Sequence, residues 1–344
     1  MKKMLKVIFL LRHKIKIFVA FLTNNKSNRI IIVATPTHGN LGDQAIVYAE
    51  KKTLKSIFPN HSIIEIENGA FLRAKSFLKK RVKSTDIIVI DGGGNLGTIW
   101  PWEDDKISDI ILTFNQNKIV VFPQTAYYEQ SEEAEARIEK NKAVYSQAKD
   151  LTVLLRDERS LKLFDEVFPS IKAKLCPDIV LSLNQRKCLD RDGVLLCLRT
   201  DREKAATEAE ENFLKNYLKE QQLGYSLTST VIEKRVFNRS RKKELNKKWQ
   251  EFSRAKLVIT DRLHAMIFSY ITATPCIAIN NSSKKVEGAY KFISNCGFIK
   301  MADDLTEAVK FIPELMDIKV CDLNDFTYPI DMLEEILKDG EFQK

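Results

Sequence analysis

The stretch RIIIVATPTHGNLGDQAI, residues 29–46, decides the fold class. It begins with an apolar run that does not alternate with polar residues, which is typical of a strand buried on both faces. A proline and two glycines then turn the chain, and a helical pattern follows over residues 42–57. Because a buried strand, a turn and a helix make the first half of a βαβ unit, the stretch predicts a parallel sheet flanked by helices.

The same alternation of apolar runs and helical patterns continues along the chain. In the first half it predicts strands over 29–35, 62–68, 86–93, 118–125 and 151–157, and helices over 42–57, 70–83, 104–116 and 131–148. In the second half it predicts strands over 193–200, 224–230, 256–262 and 275–280, and helices over 203–221, 240–253, 263–272, 286–295, 304–313 and 328–339. We therefore expect the α/β class, with two Rossmann-like domains facing across a cleft.

The length of 344 residues also favours two domains, because single cores stop growing at smaller sizes. The pattern restarts after a stretch without regular periodicity near residues 183–192. We expect an N-terminal arm over 1–28, a first domain over 29–185, a second domain over 186–327, and a C-terminal helix within 328–344 that crosses back to the first domain.

The net charge of +9 is concentrated near the N-terminus. Eight Lys and Arg residues precede the first acidic residue, Asp43, so the rest of the chain is nearly neutral. A nucleic-acid-binding domain usually spreads basic residues over its folded surface and interleaves them with aromatic residues. This sequence lacks that pattern, which argues against nucleic acid as a partner.

The N-terminal arm, MKKMLKVIFLLRHKIKIFVAFLTNNK, mixes apolar and basic residues. Charges interrupt its apolar runs too often for a membrane span, and it has no small-residue cleavage site of the kind that ends a signal peptide. Two interpretations stay open. The arm is either a basic amphipathic helix that lies on an anionic membrane surface or a helix that packs on the first domain.

The cysteines show no CxxC pairing, and several lie in apolar runs. We expect free thiols in a reducing compartment, with a zinc site or disulfides as the alternative. No loop has the His, Cys and carboxylate spacing of a metal site, so we expect neither a metal nor a cofactor. The six cysteines are Cys176, Cys188, Cys197, Cys276, Cys296 and Cys321.

Glycines and polar residues follow several predicted strands, at the carboxyl ends where open parallel sheets bind ligands. The glycines would let the backbone approach an anion closely, while Asn40 and Asp43 would alternatively cap the helix that follows. Because GNLG occurs at 39–42 and again at 94–97, we expect two similar turns on neighbouring strands. The candidate substrate-binding residues in these turns are Asn40, Gly42, Asp43, Gly93, Gly94, Asn95 and Gln124.

The stretch ITDRLHAMIFSY, residues 259–270, places three polar residues between two buried elements. Arg262 has a rigid planar guanidinium whose N–H donors suit a carboxylate or a phosphate. His264 carries an imidazole, the side chain that most often transfers protons in enzymes. Asp261 would cap the helix and orient a neighbouring side chain. We expect all three to belong to the functional site.

Further basic residues stand near other strand ends. Arg156 ends the strand in LLRDERS and is either tied to a carboxylate or directed into the cleft, and we favour the cleft. Lys284 and Lys285 follow the strand at 275–280. The basic stretch over 234–249 is either a solvated face or a loop that meets an anionic substrate.

Taken in order from about residue 30 to about residue 290, the motifs resemble the polysaccharide pyruvyl transferase family. The matching pieces are HGNLGDQAI, DGGGNLG, FPQT, LLRDERS, PDIVLSL, TDRLHAMIF and the pair Lys285–Val286. The resemblance implies a GT-B-like architecture. It also implies a transferase of cell-surface polysaccharide biosynthesis that moves a pyruvyl group from phosphoenolpyruvate to two hydroxyls of one sugar, as a cyclic ketal.

The resemblance also implies roles for single residues. Arg156 and Arg262 would bind the phosphate and carboxylate of the donor, and His264 would be the general acid or base. Lys285, or its neighbour Lys284, would be a further phosphate contact.

The implied partners are phosphoenolpyruvate and a sugar acceptor carried on a lipid, so we expect a cytoplasmic protein at the inner face of the cell membrane. Two alternatives remain. The first is a GT-B glycosyltransferase that uses a nucleotide sugar, and the second is a non-catalytic membrane-surface subunit of a polysaccharide assembly complex.

Overall fold

The computed structural model describes residues 2–24, 28–187, 189–201, 203–280, 284–318 and 326–339. The chain forms two compact units. The first unit comprises Met1–Thr37, Ile46–Ile179 and Pro329–Lys344, and the second comprises His38–Ala45 and Val180–Tyr328. Each unit has its own parallel sheet flanked by helices.

The strands are short and mostly apolar. Those of the first unit are β1 Arg29–Thr35, β2 Ser62–Glu67, β3 Ile87–Ile90, β4 Gly93–Gly97, β5 Lys118–Tyr127, β6 Asp150–Leu155 and β7 Lys172–Leu175. Those of the second unit are β8 Asp192–Cys197, β9 Tyr225–Leu227, β10 Ala255–Thr260, β11 Cys276–Ile279 and β12 Ile299–Ala302.

Helices follow most of the strands. They are α1 Lys2–Leu22, α2 Leu41–Ile57, α3 Asn68–Lys79, α4 Pro101–Thr113, α5 Glu132–Tyr145, α6 Glu158–Val167, α7 Glu208–Glu220, α8 Asn238–Arg254, α9 Leu263–Ile271, α10 Lys285–Tyr290, α11 Leu305–Met316 and α12 Ile330–Lys338.

In the first unit the strand order is β2-β1-β3-β5-β6-β7, and β4 pairs with β5. All of these pairs are parallel. The apolar runs lie at the centre: β1 and β3 are buried along their whole length. Strands covered on both faces cannot alternate apolar and polar residues, which is why these runs are nearly continuous.

In the second unit the order is β12-β11-β10-β8-β9, again with parallel pairs. The strands β11, β10 and β8 are therefore neighbours, and their carboxyl ends lie side by side. One apolar cluster on this sheet includes Leu257, Ile277 and Leu305, all fully buried.

Three short strands were not predicted. β7 has the sequence KAKL and β12 the sequence IKMA, so each has only four residues and neither forms an apolar run. β4 consists of GGNLG, a glycine-rich segment that was expected to be a turn. The helix predicted over 286–295 ends at Tyr290.

Candidate functional site

The segment between β10 and α9 holds the predicted Asp261, Arg262 and His264. Asp261 is fully buried, and its Oδ1 accepts a hydrogen bond from the Arg199 backbone N–H at 2.8 Å. The expectation that Asp261 caps α9 is wrong, because the N-cap residue is Arg262 and its side chain makes no capping hydrogen bond. Asp261 instead joins the end of β10 to the segment that follows β8.

The carboxyl of Asp261 lies in an environment that disfavours its charged form. Burial raises its pKa, and the hydrogen bond from the Arg199 backbone N–H opposes this shift only in part. Its Oδ2 is buried and has no hydrogen-bond partner among the described residues.

Arg262 is 7% exposed, and the ion pair that its guanidinium makes in the described part of the chain, with Asp201, is a long one. Its Nε lies 3.5 Å from the Leu198 carbonyl oxygen, and its Nη1 lies 3.9 Å from the nearer oxygen of Asp201. Buried charges are normally paired at shorter distances than these. The geometry therefore leaves the fork of Arg262 able to bind an anion.

Three neighbouring strands each supply one cation to this region. Arg199 follows β8, Arg262 follows β10 and Lys285 follows β11. The guanidinium of Arg199 donates to both Asp201 and Glu203, and Lys285 Nζ lies 3.2 Å from Glu203 Oε1. The carboxyl ends of the second unit's sheet thus carry a cluster of cations held by two carboxylates.

Arg199, Asp201 and Glu203 were not predicted from the sequence. The signal was present, since Arg199 directly follows the apolar run GVLLCL, much as Arg262 stands one residue beyond KLVIT. Partial burial would raise the pKa of Asp201, but its contacts with the Arg199 guanidinium outweigh burial and lower it. This carboxylate is therefore ionised at neutral pH.

The structure distinguishes between the two neighbouring lysines. Lys285 is 8% exposed and contacts Glu203, whereas Lys284 is exposed and has a left-handed backbone with φ of 55°. Lys285 therefore belongs to the cation cluster, and its role as a phosphate contact stays a prediction.

His264 lies on the first turn of α9 and is half-buried. Its ring is against the backbone of Gly42, where an added Cβ would lie 2.4 Å from His264 Nδ1 and 3.0 Å from its Cβ. The start of α2 and the imidazole are therefore in direct contact, and both belong to the second unit. Only glycine fits at position 42 without displacing the ring.

The loop before Gly42 is fixed by its own hydrogen bonds. Asn40 Oδ1 accepts from the Gly42 N–H at 3.0 Å, so Asn40 caps α2, as the alternative interpretation proposed. The Leu41 N–H donates to the Thr230 carbonyl at 2.7 Å. Asp43 is half-buried in the first turn of α2, and its Oδ2 lies 3.7 Å from His38 Nε2.

The second glycine motif, in the first unit, is not a turn like the first. Gly93, Gly94 and Asn95 belong to β4, which pairs with β5. Gln124 is fully buried: its Nε2 donates to the Asp91 carbonyl at 2.8 Å, and its Oε1 accepts from the Asn95 N–H at 3.0 Å. The expectation of two similar turns is therefore wrong, and the Gln124 amide holds β4 in place.

Two glycines of this segment, Gly92 and Gly97, are explained by the approach of β5. A Cβ on Gly92 would lie 2.8 Å from the Pro123 carbonyl oxygen, and one on Gly97 would lie 2.0 Å from the Tyr127 carbonyl oxygen. The backbone that these glycines approach is that of the neighbouring strand.

Arg156 is 4% exposed and forms a buried ion pair. Its Nη1 lies 2.7 Å from Asp178 Oδ2, and its Nε donates to Thr125 Oγ1 at 2.8 Å. This is the carboxylate-tied arrangement rather than the one we favoured. The difference follows from Asp178, which lies in the segment after β7, a strand that was not predicted.

The basic stretch over 234–249 is mostly helical, since α8 begins at Asn238. Arg241 is 2% exposed and donates to Gln44 Oε1, and Lys248 donates to Thr228 Oγ1. These two basic residues support the fold of the second unit, and the interpretation of this stretch as a loop is wrong.

The described cysteines, Cys176, Cys197, Cys276 and Cys296, form no disulfide, and Cys188 and Cys321 lie outside the described residues. Within the same described ranges, no three His, Cys, Asp or Glu side chains are grouped as metal ligands would be.

Residues 40–283 match the sequence model of a protein family, polysaccharide pyruvyl transferase. The chain belongs to this family. The matched range contains Asn40, Arg156, Arg262 and His264. It ends just before Lys285 and leaves out α1.

Relatives support the same assignment. The chain is 34% identical to General stress protein 30 of Bacillus subtilis over 316 residues, which cover 89% of this chain and 92% of the relative. It is 25% identical to Pyruvyl transferase 1 of Schizosaccharomyces pombe over 271 residues, which cover 74% of this chain and 66% of that relative. This member of the polysaccharide pyruvyl transferase family is therefore a transferase of polysaccharide biosynthesis.

Among solved structures, the UDP-GlcNAc 2-epimerase of Methanocaldococcus jannaschii is similar, with a TM-score of 0.50 and 13% identity over 91% of this chain and 100% of that chain. At this identity the likeness shows the fold alone. The predicted fold class, parallel sheets flanked by helices in a GT-B-like protein, is confirmed.

No helix in the described part of this pyruvyl transferase family member has the length and apolar character needed to cross a membrane.

Proposed function

We propose that this enzyme transfers the pyruvyl group of phosphoenolpyruvate to two hydroxyls of a sugar and forms a cyclic ketal. The observation that carries the proposal is the buried guanidinium of Arg262, for which the nearest carboxylate oxygen among the described residues, that of Asp201, is 3.9 Å away. An ion pair of this length compensates a buried cation only in part, and a bound anion would complete the compensation.

Phosphoenolpyruvate carries a carboxylate and a phosphate ester on the same carbon, C2, and these two anionic groups suit a cluster of cations. Arg262 would bind one of these groups through its two parallel N–H donors, and Lys285 would contact the phosphate. Asp201 and Glu203 would hold Arg199 and Lys285 in position. Fixing both ends of a small donor orients its reacting carbon, which contributes to rate.

His264 would be the acid that protonates the donor. It is half-buried, it follows Arg262 by two residues, and the start of α2 fixes its ring through Gly42. Removing a catalytic acid typically lowers the rate about 10²–10⁴-fold.

The reaction balances with two protons from the acceptor. C3 of phosphoenolpyruvate gains a proton, and one sugar hydroxyl forms a C–O bond to C2 and loses its proton. The C2–O bond to phosphate then breaks and phosphate leaves with a proton, while the second hydroxyl closes the ring on C2. Cations near the phosphate would stabilise its departure.

The remaining predicted residues have supporting roles in this proposal. Asn40 and Gly42 would hold the start of α2 beside the imidazole, and Asp43 would lie at its edge. The roles of Gly93, Gly94, Asn95 and Gln124 in binding substrate stay predictions, as does Arg156 as a donor ligand, since its guanidinium is engaged by Asp178.

For the acceptor, we propose an oligosaccharide carried on a lipid at the cytoplasmic face of the membrane. The support is the family's place in polysaccharide biosynthesis, in which intermediates are commonly carried on lipids, together with the N-terminal helix discussed below.

Thermal unfolding tests the donor without knowledge of the acceptor. Phosphoenolpyruvate should raise the melting temperature of the wild type, because a ligand that binds only the folded state stabilises it. UDP-GlcNAc should not. A shift with UDP-GlcNAc and none with phosphoenolpyruvate would favour a glycosyltransferase instead.

Product formation tests the chemistry. Mass spectrometry of lipid-linked sugars incubated with phosphoenolpyruvate should find the added pyruvyl mass with the wild type. His264→Ala should still show the phosphoenolpyruvate-dependent thermal shift but form no product. Equal product from the variant would remove His264 from the mechanism.

A further inference from the structure

The N-terminal helix α1 is anchored to the first unit by one face. Ile17 and Phe21 are 1% and 7% exposed and belong to the core cluster of that unit. Lys16 Nζ also lies 2.8 Å from Glu67 Oε2. Of the two interpretations of the arm, packing on the first unit is therefore the one that the structure shows.

A second face of α1, about 110° around the helix axis from Ile17 and Phe21, is apolar and exposed. Leu11, Ile15, Phe18 and Leu22 are 56%, 53%, 39% and 58% exposed. Their spacing of three and four residues places them in one line along the helix. We call these four residues the outer stripe. Contiguous exposed apolar surface of this kind marks a binding surface more often than isolated apolar residues do.

Cations stand on both sides of the outer stripe. At about 100° per residue, Arg12 lies on one side and Lys14 on the other. Arg81, from the segment after α3, places its guanidinium 4.8 Å from the centre of the Phe18 ring. The sequence of α1 contains no acidic residue.

We propose that the outer stripe of α1 is a docking surface for an anionic lipid bilayer, with the helix lying parallel to the membrane while its inner face stays packed on the first unit. An apolar line bordered by basic residues has the chemistry of a helix at the membrane interface. The apolar side chains enter the boundary between headgroups and acyl chains, and the cations contact the lipid phosphates.

A second copy of the chain fits this surface less well. Two outer stripes packed together would bring Arg12, Lys14 and Arg81 of both copies close to one another, and like charges at an interface are unfavourable. An anionic bilayer supplies both the apolar region and the opposite charge.

The docking surface would hold the enzyme beside a lipid-linked acceptor. This purpose rests on the proposed function. Vesicle flotation tests the docking surface without any acceptor. The wild type should float with vesicles of phosphatidylcholine and phosphatidylglycerol, should not float with phosphatidylcholine alone, and should be released as salt is raised.

The double variant Leu11→Ser/Ile15→Ser should lower the vesicle-bound fraction at least about tenfold, because two apolar side chains no longer enter the bilayer. Leu227→Ser is the matched control: Leu227 is 69% exposed but lies on β9 of the second unit. It should float like the wild type. Arg12→Glu should weaken flotation at low salt more than at high salt.

The outcomes are separable. A wild type that does not float with anionic vesicles, or a double variant that floats equally well, would overturn the docking proposal. So would a wild-type dimer in sedimentation that the double variant converts to monomer while flotation is unchanged. Loss of the phosphoenolpyruvate-dependent thermal shift, with flotation intact, would instead contradict the proposed donor.

Discussion

The four residues GNLG at 39–42 lead into a helix, whereas the same four residues at 94–97 form most of strand β4. In the first copy Gly42 makes room for the His264 ring, and in the second Gly97 makes room for the Tyr127 carbonyl. One copy therefore shapes the candidate site and the other shapes the sheet.

The flanking residues explain this difference. After 39–42 comes DQAIVYAEKK, which continues a helix, so the chain can begin α2 at once. After 94–97 comes TIWPW, in which β-branched and aromatic residues favour an extended chain and Trp100 precedes a proline. A helix can then start only at Pro101. A short motif therefore acquires its structure from its neighbours.

Gly42→Ala should produce the largest effect on activity. The added Cβ would displace His264, and misplacing a catalytic group by about 1 Å costs on the order of 10² in rate. The added Cβ also overpacks against the Cβ and ring of His264, which should lower the unfolding free energy by about 1–3 kcal/mol. Product formation and thermal unfolding together check this.

The matched control is Gly69→Ala, since Gly69 is likewise the second residue of a helix, α3. There the nearest atom to an added Cβ is Arg73 Nη1 at 3.2 Å, the mobile end of a side chain. Its activity should equal that of the wild type. If Gly42→Ala were equally active, the contact with His264 would have no catalytic importance.

Gly97→Ala should mainly reduce stability. Gly97 has φ of +100°, and its Cβ would meet a backbone carbonyl that cannot move aside. Strain and overpacking together should lower the unfolding free energy by about 2–4 kcal/mol, measured by urea denaturation. A loss below about 0.5 kcal/mol would mean that β4 rearranges easily.

The asparagines of the two GNLG motifs, Asn40 and Asn95, test the same comparison with smaller expected changes in stability. Asn40→Ala removes the cap of α2 and should cost about 1 kcal/mol of stability. Asn95→Ala removes a side chain for which the described residues offer no hydrogen bond, so it should cost clearly less. Equal losses in urea denaturation would show that the cap contributes nothing particular to the first copy.

Asp261→Asn should have the smallest effect, visible as a pH dependence. Burial raises the pKa of Asp261 above its unfolded value of about 3.9, so its contribution to stability is lost as pH rises through the folded pKa. The amide oxygen that Asp261→Asn introduces would still accept from the Arg199 N–H. Because the amide does not ionise, the variant would not lose stability as pH rises. Its stability relative to the wild type should therefore increase from pH 4 to pH 7. Parallel urea-denaturation profiles would contradict the burial of an ionisable group there.

Much of the fold followed from the sequence because buried parallel strands leave continuous apolar runs. Strand β1 was predicted with its observed bounds, Arg29–Thr35. The strands that were missed have four or five residues or are rich in glycine, so their pairing depends on neighbours that are distant in sequence. Periodicity cannot reveal such pairing.

The candidate site was predictable only in part. Arg262, His264 and Lys285 stand at strand ends, and the structure brings Arg262 and Lys285 into one cluster with Asp201 and Glu203. The partners of Arg156 and Gln124 could not be predicted, because their contacts, Asp178 and Asp91, depend on tertiary packing. Whether an arginine at a strand end binds a ligand or a carboxylate is decided by such packing.

The central claim is that Arg262 binds the anionic donor in the second unit. Calorimetric titration of phosphoenolpyruvate into the wild type and Arg262→Lys tests it most directly, with Arg159→Lys, an exposed arginine, as control. Loss of the bidentate contact should weaken binding at least about tenfold in Arg262→Lys and leave the control unchanged. Equal dissociation constants for all three proteins would contradict the account.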